Sequence, residues 1–219
     1  TASGADSYVW GNSMGTGNTK SVNPTSTTIY SVTGTDSNGC TGTASAQVVV
    51  NPNPTVSVNN VSICNGATAS LTASGASTYT WSGLGSGNPK TVNPSTTTTY
   101  TVTGSDANGC TGTAQATVTV NPNPTVSATG GTICSGNSIS VVASGAVSYN
   151  WNPSGTGSSI TVNPTTTTTY NVTGTDNNGC TGTASTQVVV NPNPTVTATG
   201  GTICTGKSID ISASGANTY

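Results

Sequence analysis

The stretch TTYTVTGSDANGCTGTAQATVTV, Thr98–Val120, decides how the chain is read. Before the Asn108-Gly109 dipeptide, Tyr100 and Val102 alternate with threonines; after it, Ala114, Ala116, Val118 and Val120 alternate with polar residues. A period of two is the pattern of half-buried strands. Threonine is branched at Cβ, so it favours the pleat while its hydroxyl keeps the outer face wet. Asn-Gly supplies the turn. The stretch thus predicts two strands, 98–106 and 111–120, joined as a hairpin. Working outward, 54–58, 68–74, 77–81 and 90–94 read the same way, with Leu71 the apolar centre of the second. Further breaks fall at Asn65-Gly66 and Ser74-Gly75, and no segment shows the i, i+3, i+4 stripe of a helix.

The pattern recurs with a step of 70 residues. Asp36, Asp106 and Asp176 keep it, as do Cys40, Cys110 and Cys180, and the second series Cys64, Cys134 and Cys204. Trp81 and Trp151 are in step, whereas Trp10 precedes Trp81 by 71 because the first copy has one extra residue near Met14. The linker NPNPTV starts at Asn51, Asn121 and Asn191. Two complete modules follow, 51–120 and 121–190, flanked by the C-terminal part of one module (1–50) and the N-terminal part of another (191–219). Ser214–Tyr219 realigns with Ser3–Tyr8, and the chain opens in mid-pattern, so it reads as a window on a longer array. Many short strands in about 70 residues are the pattern of an immunoglobulin-like sandwich. The fold class expected is all-β: tandem sandwich modules in a head-to-tail rod. Proline fixes its own φ and biases the preceding residue to extended backbone, so the N-P-N-P linkers are short and stiff. The core is expected from Trp10, Trp81, Trp151, Tyr30, Tyr100, Tyr170, Leu71, Val102 and Val172, with Tyr100 where a tyrosine corner would sit. Strict phasing of Trp, Tyr, Val and Cys argues against a disordered Thr/Ser/Pro tract.

Composition removes most of the catalytic toolkit. The chain of 219 residues has no His and no Phe; its three basic residues are all Lys and its five acidic residues all Asp. Without imidazole there is no Ser-His-Asp or Cys-His dyad and no His metal ligand. Three lysines cannot track a phosphate backbone, so no nucleic-acid partner is expected. No apolar run approaches the ~18 residues of a membrane span, and no signal peptide is visible. With no paired carboxylates or activated nucleophile, no enzyme is expected within this segment.

The string YTVTGSDANGCTGTA (Tyr100–Ala114), the upstream ICNG (Ile63–Gly66) and the YTW core (Tyr79–Trp81) resemble the PKD-like and SprB-type repeats of Bacteroidota surface proteins. Those carry C-x-G near the front, Y-x-W in the middle and Y-T-V-T-x-x-D-x-N-G-C-T at the end. The chain departs from the SprB pattern in lacking G-G-x-x-P-Y before the Trp and in carrying T-T-T-T-Y where A-G-T-Y stands. The resemblance implies an Ig-like fold, export by type IX secretion, and a long cell-surface adhesin or gliding filament.

Six cysteines in a Thr-rich chain point to an oxidising compartment and disulfides. Their alternating spacing of 24 and 46 is not that of a zinc site. Three pairings are open. Bonds inside a module would be Cys64–Cys110 and Cys134–Cys180, but the strand order places those residues at opposite ends of a sandwich. A strand of six residues spans ~20 Å, and bridged Cα atoms lie within about 7 Å. A bond across a module junction, Cys64–Cys180, suits a head-to-tail stack and leads, with the partners of Cys40, Cys110, Cys134 and Cys204 in further modules. Cys110–Cys134, closing a hairpin around NPNP, is the third. Asp36, Asp106 and Asp176 in D-x-N-G read as turn residues; one carboxylate per module is thin for Ca²⁺ at a junction, and no cofactor is expected. Thr165–Thr169 reads as a polar connection between strands rather than a glycan- or ice-facing surface.

The expected role is a structural repeat segment of an extracellular filament or giant cell-surface adhesin, a stalk or surface fibre of the gliding-motility kind. The expected partners are further copies of the repeat in the same chain, lateral filament partners, and a surface or glycan ligand at an unseen tip. The alternative is a spacer or glycan-binding set of modules in a secreted polysaccharide-degrading enzyme.

Overall fold

The structure, a computed structural model, describes residues 1–218. Tyr219, the last residue of the realigned segment 214–219, lies outside the described residues. Every regular element among the described residues is a β-strand. The chain packs as two compact units: Thr1–Val61 with Thr68–Val92 and Thr98–Val118, and Ser62–Ala67 with Asn93–Thr97 and Thr119 onward.

The second unit shows the sandwich most fully. One sheet orders Ser127–Thr129, Ile139–Ser144 and Ser159–Val162. The other orders Gly131–Cys134, Thr181–Asn191, Thr168–Thr175 and Ser148–Asn152. All pairings are antiparallel except Gly131–Cys134, which runs parallel to Thr181–Asn191 in the register Gly131↔Val188 to Cys134↔Asn191. Val141, Ala143 and Val162 from the first sheet meet Trp151, Tyr170, Val172 and Val188 from the second in one buried cluster. The chain is therefore all-β, built of tandem immunoglobulin-like β-sandwich modules. In the preceding repeat the sheet order is Gly85–Ser86, Thr78–Trp81, Thr98–Ser105, Thr111–Asn121 and Val61–Cys64. The hairpin read from Thr98–Val120 is present, paired from Thr98↔Val118 to Ser105↔Thr111. Trp81 stands beside Val102 across the strands, and Trp81, Leu71 and Val102 are all buried.

Burial follows the facing sheet, not the residue alone. Ile211 stands one repeat after Val141, yet Ile211 is 80% exposed and Val141 is 0% exposed. Around Ile211, among the described residues, the strands Thr197–Thr199 and Ser212–Ser214 pair only with each other. In the first unit Trp10 and Val32 are buried at the base of an open groove that Tyr8 and Ala44 also line. The extra residue near Met14 sits in the turn after Trp10, where Asn12 and Ser13 take left-handed backbone (φ 57° and 60°).

Three local expectations differ from what the structure shows. The first strand of a module breaks in two: Ser57–Val58 pairs with Ala73–Ser74, then Val61–Cys64 crosses to the other sheet, where a turn was expected. Asparagine side chains substitute for ladder partners at the crossing. Asn59 Oδ1 accepts from the Thr72 amide at 2.8 Å, and Asn60 Oδ1 accepts from the Thr117 amide at 2.8 Å. Accordingly the strand expected over 68–74 is interrupted at Thr72. The tyrosine that closes on backbone is not Tyr100, which is half-buried opposite Ala116, but Tyr79. The Tyr79 hydroxyl accepts from the Ala76 amide and donates to the Ala76 carbonyl, both at 2.9 Å, and Tyr149 repeats this with Ala146 at 2.7 Å. This loop lies on Gly104, where a Cβ would collide with Ala76 and Val56. Tyr170 is buried and Tyr30 half-buried.

Far-UV circular dichroism should show strand and turn signal without helical minima. Trp151→Ala should remove ~3–5 kcal/mol from unfolding of its module, the usual cost of truncating a buried tryptophan, measured by denaturant titration.

Candidate functional site

The D-x-N-G-C segments are rigid turns. Asp176 Oδ1 accepts from the amides of Asn178 and Cys180, both at 2.8 Å, and the Asp176 amide donates to the Cys180 carbonyl at 3.0 Å. Asp36 and Asp106 repeat the arrangement at Cys40 and Cys110. A carboxylate accepting two backbone amides is committed to the turn, and no cluster of three or more His, Cys or Asp side chains suited to a metal occurs among the described residues. The product of the turn is a cysteine whose backbone is fixed at the start of a long strand: Thr181–Asn191 begins one residue after Cys180.

The other cysteine series is fixed from the linker. Cys64 ends the strand Val61–Cys64, and the Ala67 amide donates to its carbonyl at 3.0 Å across the Asn65-Gly66 turn. The Asn65 amide donates to the Asn121 carbonyl at 2.9 Å, and Asn123 Nδ2 donates to the Asn65 carbonyl at 3.3 Å. Ser135 repeats both contacts with Asn191 and Asn193, at 2.9 and 3.0 Å. The asparagines of N-P-N-P therefore tie the linker to the turn that carries the cysteine, while the prolines restrict its backbone. Sequence reading weighed only the prolines; the 70-residue recurrence of Asn at both linker positions was the available signal.

These two anchors converge within the second unit. Cys64 and Cys180 form a disulfide with S–S 2.08 Å, χ3 −92° and Cα–Cα 5.4 Å, across a sequence separation of 116. Those values are ordinary for a protein disulfide. Cys180 is fully buried and Cys64 half-buried. Of the three pairings open from sequence, the bond present is Cys64–Cys180. The bonds Cys64–Cys110, Cys134–Cys180 and Cys110–Cys134 are not formed, and Cys40, Cys110, Cys134 and Cys204 are free cysteines. The Cys110 sulfur lies 3.9 Å from the Asn51 carbonyl, at the linker that opens its own repeat, while Cys64 sits beside Asn121, at the linker that closes it. Strand direction thus separates the two cysteines of one repeat.

No family model matches the chain, and no curated protein matches it. Solved structures similar to it include the Ig1–Ig2 pair of DIP-gamma (13% identity, 64% of this chain and 98% of that one, TM-score 0.30). A second is a Ca²⁺-stabilized adhesin described as helping an Antarctic bacterium reach out and bind ice (17% identity, 78% of this chain and 60% of that one, TM-score 0.37). A third is the titin fragment A168169 (14% identity, 61% of this chain and 95% of that one, TM-score 0.26). The neighbours are Ig-like and adhesin domains. No helix among the described residues is long and apolar enough to cross a membrane.

Peptide mapping without reductant should recover Cys64 joined to Cys180, and a single backbone cut at 121–124 should leave the two halves together until a reductant is added. Recovery of Cys64–Cys110 would contradict the pairing. Reduction should also lower stability, by at most about 5 kcal/mol for a loop of this length on a chain-entropy estimate, measured by denaturant unfolding with and without reductant.

Proposed function

We infer that the chain is a structural segment of an extracellular fibre, the stalk of a filament or giant cell-surface adhesin, and that it performs no reaction. The supporting observation is the Cys64–Cys180 bond between cysteines of successive repeats. A disulfide between repeats constrains how one repeat moves against the next, which is of use in a stalk and of none to chemistry within a module. Uniformity supports the same reading: the Asp–Cys turn occurs unchanged in three repeats. The oxidised pair fits the extracellular space or cell surface.

The finer reading rests on the Tyr100–Ala114 string and its resemblance to PKD-like and SprB-type repeats. It assigns the segment to a Bacteroidota surface protein exported by type IX secretion, with modules bounded at 51, 121 and 191 running head to tail, and with a ligand-binding tip elsewhere in the protein. Cys134 and Cys204 would then find partners in further modules, each 116 residues on.

Small-angle scattering of the oxidised protein should give the profile of an extended rod; a compact radius would contradict the head-to-tail arrangement. Antibodies against these repeats should label the surface of intact cells, and deleting repeats from the gene should shorten the surface fibre in proportion. A catalytic domain in the same reading frame, with secretion into the medium, would replace the stalk by a spacer in a polysaccharide-degrading enzyme.

A further inference from the structure

We propose that the Cys64–Cys180 bond is a tensile bypass: pulling force that arrives at residue 64 leaves at residue 180, and the folded residues between them carry none of it. The inference rests on the stalk reading for its purpose but on covalent connectivity for its mechanism.

A force on the two chain ends follows the shortest covalent route. With the disulfide closed, that route omits everything between Cys64 and Cys180, a separation of 116 residues. The omitted part holds Trp81, Trp151 and the strands Thr98–Ser105 and Thr168–Thr175, and so most of the two cores. Without the bond, those strands would lie in series with the load, and on unfolding the chain folded back and forth between them would straighten to ~3.3–3.6 Å per residue.

Just beyond Cys180 the route has little slack. Beyond Cys180 the force enters Thr181–Asn191, an 11-residue strand already at extended spacing, roughly 37 Å long at ~3.4 Å per residue. Tension along it gains almost no length. The strand is internal to its sheet, paired antiparallel with Thr168–Thr175 on one side and parallel with Gly131–Cys134 on the other. Its partners both lie within the enclosed segment, so tension between the two ends of this strand runs through its own backbone and does not draw the ladders apart. Both ends are braced. At the entry, Cys180 is clamped through its amide and carbonyl to Asp176. At the exit, the Asn191 carbonyl accepts from Ser135 and the Asn193 side chain donates to the Ser135 carbonyl. Next comes the proline-stiffened linker.

The test is single-molecule stretching of the whole protein held by terminal tags, oxidised and then reduced on the same tether. The reductant is a small dithiol. Its thiolate attacks one sulfur of the bond, the other cysteine leaves as thiolate, and the second thiol of the reagent displaces the first cysteine, leaving two protein thiols and an oxidised reagent. In the oxidised protein, unfolding steps from the residues between 64 and 180 should be absent at forces that unfold them after reduction. The fully stretched length should rise by about 400 Å on reduction, 116 residues at ~3.5 Å each. The variant Cys180→Ser should reach the longer length without reductant; since full extension depends on connectivity alone, this holds even if that variant folds poorly. Equal stretched lengths before and after reduction, or unfolding steps of the enclosed modules in the oxidised protein, would overturn the proposal. Failure of cell-surface labelling would remove the stalk reading and leave this result standing, so the two are separable.

Discussion

Trp81 and Trp151 each sit between two thin sheets, and the residues around them are arranged to keep them there. With no phenylalanine and few large aliphatic residues, the cluster around Trp151 is built mainly from valines and two tyrosines. A buried indole must place its N–H on an acceptor, and it does so locally: Trp81 Nε1 donates to the Gly87 carbonyl and Trp151 Nε1 to the Gly157 carbonyl, both at 3.0 Å, while Trp10 meets Gly17 at 2.8 Å. The acceptor lies six or seven residues on, just past the short segment that pairs back on each tryptophan's own strand. The ring is thus oriented by a contact local in sequence, and it presents an apolar face for Val102 or Val172 to cover. A core this small leaves a module of about 70 residues marginal on its own, which gives covalent reinforcement its physical motive.

Much of this was legible in the residues. Alternation around Tyr100 and Val102 set the hairpin and its facing sides, because a strand of period two leaves its apolar set a single face. Strand direction was enough to put Cys64 and Cys110 at opposite ends of one repeat, and so to favour Cys180 as the partner of Cys64. What escaped was chemistry that imitates backbone. Asn59 and Asn60 look like loop residues, yet their side chains take the places of ladder carbonyls while the strand changes sheets. Tyr79 and Tyr100 are both aromatic residues in strands; Tyr79 closes on Ala76, three residues before it, and the loop so made packs over Gly104, a contact that is not local in sequence. The linker asparagines escaped for the same reason: their partner, Asn65 or Ser135, lies 58 residues away.

The threonine-rich outer faces belong to the same economy of means. Thr99 and Thr117 face each other across the hairpin with their hydroxyls 3.4 Å apart, and Ser57 and Ser74 meet at 2.8 Å in the other sheet. Such pairs stabilise cross-strand contact modestly without charge. A chain with 4% charged residues thereby keeps its surface hydrated through hydroxyls, and its cohesion should depend little on salt.

The separation of Cys64 from Cys180 also imposes an order on maturation. When the chain emerges N-terminus first, Cys64 and Cys110 are both out, and free to meet, well before Cys180. The earlier encounter is the wrong one. Folding of the repeat around Trp81 removes it, since that fold carries Cys64 to the closing linker and leaves Cys110 at the opening one. The correct bond then waits for the next repeat to emerge as far as its Asp176 turn. Each repeat must therefore fold before it is stitched, and oxidation trails emergence by about one repeat. An oxidant acting faster than folding would trap the chain in bonds within single repeats, so fidelity of pairing is set by the contest between those two rates.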